Sequence, residues 1–557
     1  MRSPCLLAAG LLAACVTACA AEPAQPATIA LRLITFNDFH GHLEPPAAGL
    51  VVADPAAPGG RMRVRAGGIA HVATAIAELK AGREHAIVVA AGDLVSASPL
   101  ASSLFLDEPA VKALGEAGLE FASVGNHEFD RGRDELKRLQ EGGCHPKEGC
   151  IDGPWPGARF RWLAANVIDT ATGKPFLPPY AIREFGGVPV AFVGLVLKGT
   201  PGIVSRSGIA GLEFRDEVET VKALVPELRT KGVEAIVVLL HEGGTTKGAP
   251  FEPACPGLEG PIVDIVRRLD PAVDVVVSGH THQAYLCRVD GRLVTQSGQY
   301  GQSLVAIDLA IDRATRDVVR AEATARTVDS TVTPARADLA SYVAKFVAMA
   351  EVRAGRVVGR VQGEFSSLAN AAGETNLGNL VTDAQLAATR GAGAQVAFMN
   401  PGGLRAPLAS RRADGDVTFG DLYLVQPFGN TLVTMTLTGE QVLRLLEGSL
   451  RGKPAERPRL LQVSSTLRYE WDGARKAGSR VVPGSVTIEG KPLSRKASYR
   501  VTVNSFMADG GDGHSVLAKG TDRTGGPLDV DALAAWLKDR PLQAGPPEGR
   551  VMRRDAR

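Results

Sequence analysis

Along the N-terminal half of the chain, short apolar runs alternate with stretches of helical spacing. Residues 86–91 and 235–240 are apolar throughout, the pattern of strands covered on both faces, while 29–36, 121–124 and 273–278 are shorter or mixed versions of it. Each run is followed, at once or after one residue, by an aspartate, an asparagine or a histidine. Helical spacing at 68–80, 110–117, 132–140, 216–231 and 262–269 lies between them, and 162–167, 188–195 and 304–311 add strands. Such alternation predicts a layered α/β domain over residues 28–335, with its polar residues collected along one edge of the sheet at the strand ends.

A helix expected at 338–353, within a linker at 336–355, separates this domain from a region of different character. There, helices at 376–389 and 440–448 and strands at 396–399, 432–437, 463–469 and 499–503 predict a smaller α+β domain over 356–545, and residues 541–557 read as a polar tail. Two domains suit a chain of 557 residues, which exceeds what one core usually holds.

Composition narrows the function classes. The net charge of +2 is made of interspersed signs, so there is no basic stripe for a nucleic-acid polymer, and any nucleotide is expected as a small ligand. Residues 1–20 carry one basic residue, Arg2, and an apolar run over 5–16 that is too short to span a membrane, which marks a signal peptide. Leu12-Ala13-Ala14-Cys15 and Val16-Thr17-Ala18-Cys19 both resemble bacterial lipoboxes, and Ala18-Cys19-Ala20 also fits simple cleavage. A lipoprotein of the periplasm or cell surface is expected, touching the membrane only through its N-terminal anchor. Cys144, Cys150, Cys255 and Cys287 then remain, an even number in an oxidising compartment. Three disulfide pairings are possible, and Cys144 with Cys150 and Cys255 with Cys287 is the simplest.

The residues at the strand ends carry the chemistry. Asp38, His40, Asp93, Asn126, His241, His280 and His282 offer nitrogen and oxygen donors and no thiolate, a set suited to Zn, Mn or Co rather than to a structural sulfur site. They are too many for one tetrahedral ion and enough for two divalent ions sharing Asp93 as a bridge. Two dications would outweigh Asp38, Asp93 and a bridging hydroxide, leaving an electrophilic site that attracts phosphate. In the corner Gly125-Asn126-His127-Glu128-Phe129-Asp130, Asp130 is close enough along the chain to orient His127, which as a cation or proton donor suits metal-assisted hydrolysis.

Asn37-Asp38-Phe39-His40-Gly41, Gly92-Asp93, the Gly125 to Asp130 corner, His241-Glu242 and Gly279-His280-Thr281-His282 together resemble the secreted 5′-nucleotidases and UDP-sugar hydrolases, the periplasmic and ectonucleotidase family. The resemblance implies an α/β fold: a four-layer calcineurin-like metallophosphoesterase domain followed by a smaller α+β substrate-binding domain. It also implies that one ion takes Asp38, His40, Asp93 and His282 and the other Asp93, Asn126, His241 and His280, with His127 and Asp130 as the catalytic pair. His42 matches no ligand position and reads as a loop residue. In the second domain, the segment from Asn400 to Arg405, Pro427-Phe428-Gly429 and the segment from Asn504 through Phe506 to Asp512 are similar to the family's nucleotide-binding segments. Phe428 and Phe506 could stack on the two faces of a base, Asp512 could accept from ribose hydroxyls, and Arg405 could meet a phosphate oxygen.

Two positions depart from the family pattern: residues 362–374 contain no arginine, and Pro401 replaces a glycine after Asn400. Both touch substrate grip rather than hydrolysis. The expected activity is therefore extracytoplasmic, metal-dependent hydrolysis of phosphate esters, foremost a 5′-nucleotidase acting on nucleoside monophosphates, with UDP-sugars or nucleoside polyphosphates as further substrates. The alternatives are a 2′,3′-cyclic nucleotide phosphodiesterase/3′-nucleotidase relative, a sulfur-ester hydrolase, and a non-catalytic nucleotide-binding lipoprotein. No protein partner is implied.

Overall fold

The computed structural model describes residues 27–53, 60–204, 208–410, 412–451, 460–538, 540, 544–545 and 548–555. The expected signal peptide, with Cys15 and Cys19, lies outside them.

Two six-stranded sheets form the first domain. One runs in the order Val318–Thr327, Ser303–Asp312, Thr28–Phe36, Ala86–Ala91, Leu119–Ser123, Arg161–Leu163. Its last four strands are parallel and its first two pair antiparallel. The other runs Ala284–Val289, Arg292–Ser297, Val275–Ser278, Ala235–His241, Val188–Val196, Tyr180–Phe185, parallel except at its two edges. Alternate residues explain the continuous apolar runs. Leu31, Leu33, Ile87 and Val89 face Val190, Phe192, Val237 and Leu239 between the sheets, whereas Ile34, Phe36, Val88 and Ala90 pack outward with the helix Ile69–Lys80. Ile236, Val238 and Leu240 do the same against the helices Glu217–Thr230 and Pro261–Arg268. Helix, sheet, sheet and helix make four layers in which the inner strands are covered on both faces, while the edge strands Val318–Thr327 and Tyr180–Phe185 keep exposed residues.

The helix Ala337–Ala354 leads out of this domain. Its Phe346 shares a buried cluster with Leu100 and Phe105 of the first domain and with Phe365 and Phe419 of the second, so the two domains meet across an apolar seam. The second domain holds a five-stranded sheet in the order Gln462–Val463, Val396–Met399, Ser498–Asn504, Thr431–Thr438, Thr521–Leu528, flanked by the helices Asn376–Thr389, Gly439–Ser449 and Asp529–Lys538.

Three expectations need correction. The strand expected at 162–167 stops at Leu163, and Val167–Asp169 belongs to a separate small sheet, because the Asn166 side chain takes over the pairing: its Nδ2 donates to the Val196 carbonyl at 2.6 Å and its Oδ1 accepts from the Val196 amide at 3.1 Å. The strand expected at 463–469 is likewise split by a turn at 464–467, closed by the Leu467 amide donating to the Ser464 carbonyl. Within the expected polar tail, Val551–Arg553 is a strand parallel to Leu467–Trp471, and the buried Arg550 is paired with Asp383 at 2.6 Å. Both disulfides form as expected, Cys144–Cys150 and Cys255–Cys287.

Candidate dimetal site

The strand ends deliver their polar residues to one place. Asp38 lies just beyond Thr28–Phe36, Asp93 just beyond Ala86–Ala91, Asn126 beyond Leu119–Ser123 and His280 beyond Val275–Ser278, while His241 ends its strand. These strands belong to two different sheets, so the site spans the sandwich rather than one sheet edge. Asp38, His40 and His282 form one group whose donor atoms lie within 4.8 Å of one another; Asp93, His241 and His280 form a second. The groups adjoin: His40 Nε2 is 3.2 Å from His282 Nε2 and 3.8 Å from Asp93 Oδ2, and His241 Nε2 is 3.0 Å from the same Asp93 oxygen.

Convergence is imposed by the backbone. Asp38, His40, Asp93, His280 and His282 adopt φ of 50°, 47°, 52°, 72° and 56°, a left-handed conformation that costs a non-glycine residue about 1–3 kcal/mol and persists only where its surroundings enforce it. Close packing does the enforcing: a Cβ at Gly125 would fall 2.2 Å from Asp93 Oδ1, and one at Gly92 would fall 2.6 Å from His241 Nδ1.

Neighbours fix each donor's orientation. His40 Nδ1 donates to the Ser96 carbonyl at 2.9 Å and His241 Nδ1 to the Ala91 carbonyl at 2.7 Å, which leaves both Nε2 lone pairs facing the site. Asn37 Nδ2 donates to Asp38 Oδ2 at 2.6 Å, while its Oδ1 accepts from the amide and the hydroxyl of Ser297. Glu128, inside the quoted motif but given no role from the sequence, is buried and accepts from the amides of Asp93, Leu94 and Gly125 at 3.0, 2.7 and 2.6 Å. It ties together the two strand ends that carry Asp93 and Asn126. Burial and the Asp93 charge push its carboxyl up to about 7, against the pull of the amides it accepts from.

The donors fit divalent metal. Among the described residues, Asn126 Oδ1 and His241 Nε2 are buried without a hydrogen-bond partner; His241 Nε2 stands near Asp93 but lacks hydrogen-bonding geometry toward it. Orphaned polar atoms at the focus of an oxygen and nitrogen cluster are what an ion would satisfy.

His127 stands beside this cluster, its Nδ1 donating to Asp130 Oδ2 at 2.6 Å and its amide to Asp93 Oδ1 at 2.9 Å. Burial disfavours its charge, but the Asp130 and Asp93 carboxylates together hold the imidazolium above the usual histidine range. His42 is buried away from the donors, stacked on Tyr300 with ring centroids 3.8 Å apart, and its Nδ1 meets the His40 carbonyl at 2.9 Å.

A cleft of about 670 Å³ opens over the site, lined from the first domain by Asp93, Asn126, His127, Asp130, His280 and His282 and from the second by Asn400, Arg405, Phe428, Phe506 and Asp512. Asp38, His40 and His241 lie beneath its floor, fully buried. The Phe428 ring stacks on His127 at 5.6 Å with an 11° interplanar angle, and Asn400 Nδ2 donates to Asp512 Oδ2 at 2.7 Å. All five expected substrate residues thus border the cavity that reaches the donor cluster.

Residues 31–284 match the calcineurin-like phosphoesterase domain, and residues 357–519 match the 5′-nucleotidase C-terminal domain. A cell wall protein of Listeria monocytogenes, Lmo0130, is 32% identical over 96% of this chain and 70% of its own length. The chain belongs to the 5′-nucleotidase family of calcineurin-like phosphoesterases, a family of hydrolases. The endonuclease YhcR of Bacillus subtilis is also 32% identical, and this chain spans 41% of that protein's length. The 5′-nucleotidase precursor of Thermus thermophilus superposes with a TM-score of 0.77 at 29% identity, covering 94% of this chain and 99% of its own. The metallophosphoesterase domain implies divalent metal, in agreement with the donor cluster.

Proposed function

We propose that this phosphoesterase is an extracytoplasmic 5′-nucleotidase that releases phosphate from nucleoside monophosphates. One observation carries the reading: a single cleft joins the donor cluster of the first domain to the aromatic and polar residues of the second. One ion would be held by Asp38, His40, Asp93 and His282 and the other by Asp93, Asn126, His241 and His280. When bound, two such ions supply Lewis acidity that makes water a nucleophile near neutral pH and offset the phosphoryl charge.

The chain's own groups do the rest. His127, held by Asp130, faces the cluster and gives a proton to the ester oxygen as its bond to phosphorus breaks and the bond from the water oxygen forms. Arg405 binds phosphate oxygens, Phe428 and Phe506 offer faces for the base, and the Asn400 and Asp512 pair reaches the ribose hydroxyls. The leader at 1–20, with its two lipobox-like cysteines, supports an extracytoplasmic location.

The test is phosphate release from AMP, a 2′,3′-cyclic nucleotide and UDP-glucose, with and without chelator and with Mn, Zn or Co restored. AMP turnover that chelator abolishes supports the reading. Turnover of the cyclic ester alone makes the chain a cyclic-nucleotide phosphodiesterase, and no turnover of any ester leaves a binding protein.

A further inference from the structure

Arg131 directly follows the His127 and Asp130 pair and lines the same cleft. Arg131 and Arg405 are the arginines among the described residues that border it, and their neighbours differ. Arg405 lies over the Phe428 ring at 5.8 Å, and its charge acts on His40, His42 and His127. Arg131 acts instead on Tyr423 and stands 3.6 Å from Asp107.

The support behind Arg131 is built rather than incidental. Its Nη2 donates to the Ser103 carbonyl at 2.9 Å, and Asp107 behind it is buried, accepting from the Ser96 amide at 3.2 Å and the Ser102 hydroxyl at 2.8 Å. The segment carrying these partners is strained at Ser96, Ala97, Leu106 and Asp107, with φ of 65°, 50°, 56° and 61°. One edge of the guanidinium is thereby held, while the side chain stays 30% exposed at the cleft, so the remaining donors of its fork are open to a ligand.

We propose that Arg131 is a specificity-determining residue that binds the phosphate of the leaving group when there is one, favouring nucleoside diphosphates. The inference rests on the phosphate-ester hydrolase reading above. When ADP loses its terminal phosphate, the water oxygen bonds to the terminal phosphorus, the bridging bond breaks, and the bridging oxygen departs on AMP, taking its proton from His127. The departing group then carries a charged phosphate beside that histidine, on the cleft wall where Arg131 directly follows the Asp130 that orients it. Adenosine leaving from AMP carries no such charge. A planar fork of donors suits a phosphate better than a point charge does.

The experiment compares kcat/KM for AMP and ADP, from initial rates of phosphate release by the metal-loaded enzyme, in wild type, Arg131→Gln and Arg131→Lys. The ADP to AMP ratio is expected to fall about ten- to hundredfold in Arg131→Gln, the range of one charged hydrogen bond, and to recover in part in Arg131→Lys. A ratio that stays at the wild-type value, with both substrates losing in equal proportion, makes Arg131 a brace for the 96–107 segment and overturns the proposal. If Arg131→Gln melts below wild type, the lysine variant carries the comparison. A wild type that releases phosphate from neither nucleotide overturns the nucleotide reading and this inference together, whereas turnover of both with an unchanged ratio overturns this inference alone.

Discussion

His127 and Glu128 are neighbours with separable consequences. Replacing His127 by alanine is expected to lower kcat by about 10²–10⁴-fold, the usual worth of a placed proton donor, with metal content by elemental analysis unchanged. Parallel loss of metal and rate would make His127 a ligand, a role its position near His40 and Asp93 permits. Glu128→Gln sets an NH₂ group against backbone amides that need an acceptor, at a cost of about 1–3 kcal/mol in stability, and should lower metal occupancy because Asp93 and Gly125 lose their shared anchor. Asp274 provides a pH effect away from the site. Burial, with Asp317 nearby and partly offset by the Ile236 amide and Arg292, pushes its carboxyl up to about 8. Its native value lies above the unfolded value of about 3.9, so the native state keeps a proton that the unfolded chain releases, and stability declines from about pH 4 to pH 8 and levels off above. Asp274→Asn should therefore melt higher than wild type above pH 8 and close to it near pH 4 in thermal scans.

At the scale of elements, apolar runs were legible wherever burial was two-sided. Ala86–Ala91 and Ala235–His241 stand where pattern placed them, since nothing polar interrupts a strand with no wet face. The strands Arg292–Ser297 and Val318–Thr327 escaped because their polar residues, such as Thr295, Gln296 and Arg326, blur the alternation, even though both pair with strands close by in the chain. Asn166 escaped for the opposite reason: a side chain imitating a strand's hydrogen bonds leaves the apolar run intact in sequence while ending the ladder. The disulfides can be ranked by loop length. Cys255–Cys287 closes a separation of 32 residues and Cys144–Cys150 one of 6. Removing the first pair should cost about 3–4 kcal/mol and the second about 2 kcal/mol in the chain-entropy account, read as the difference between two double-alanine variants in denaturant melts.

For the whole molecule, metal and domain contact are linked to stability. Chelation should abolish activity and lower the melting temperature, because ions bound to the native state alone contribute about 4 kcal/mol when present at a thousandfold excess over their dissociation constant. The seam where Leu100 and Phe105 meet Phe346, Phe365 and Phe419 couples the domains. Phe105→Ala, at a cost of about 3–5 kcal/mol, should turn a single calorimetric transition into two.

By itself the sequence determined the family, the two-domain order and the polar residues that follow the strands, because short motifs and local apolar patterns need only neighbouring residues to be read; among three possible disulfide pairings it offered only the simplest. Tertiary structure alone decided how those donors face one another. Left-handed φ at five of the seven donors, the tautomers set by the Ser96 and Ala91 carbonyls, and the meeting of Arg131 with a buried Asp107 all depend on contacts between distant segments. No local preference encodes such contacts; they exist only once two sheets and a second domain have closed around one cleft.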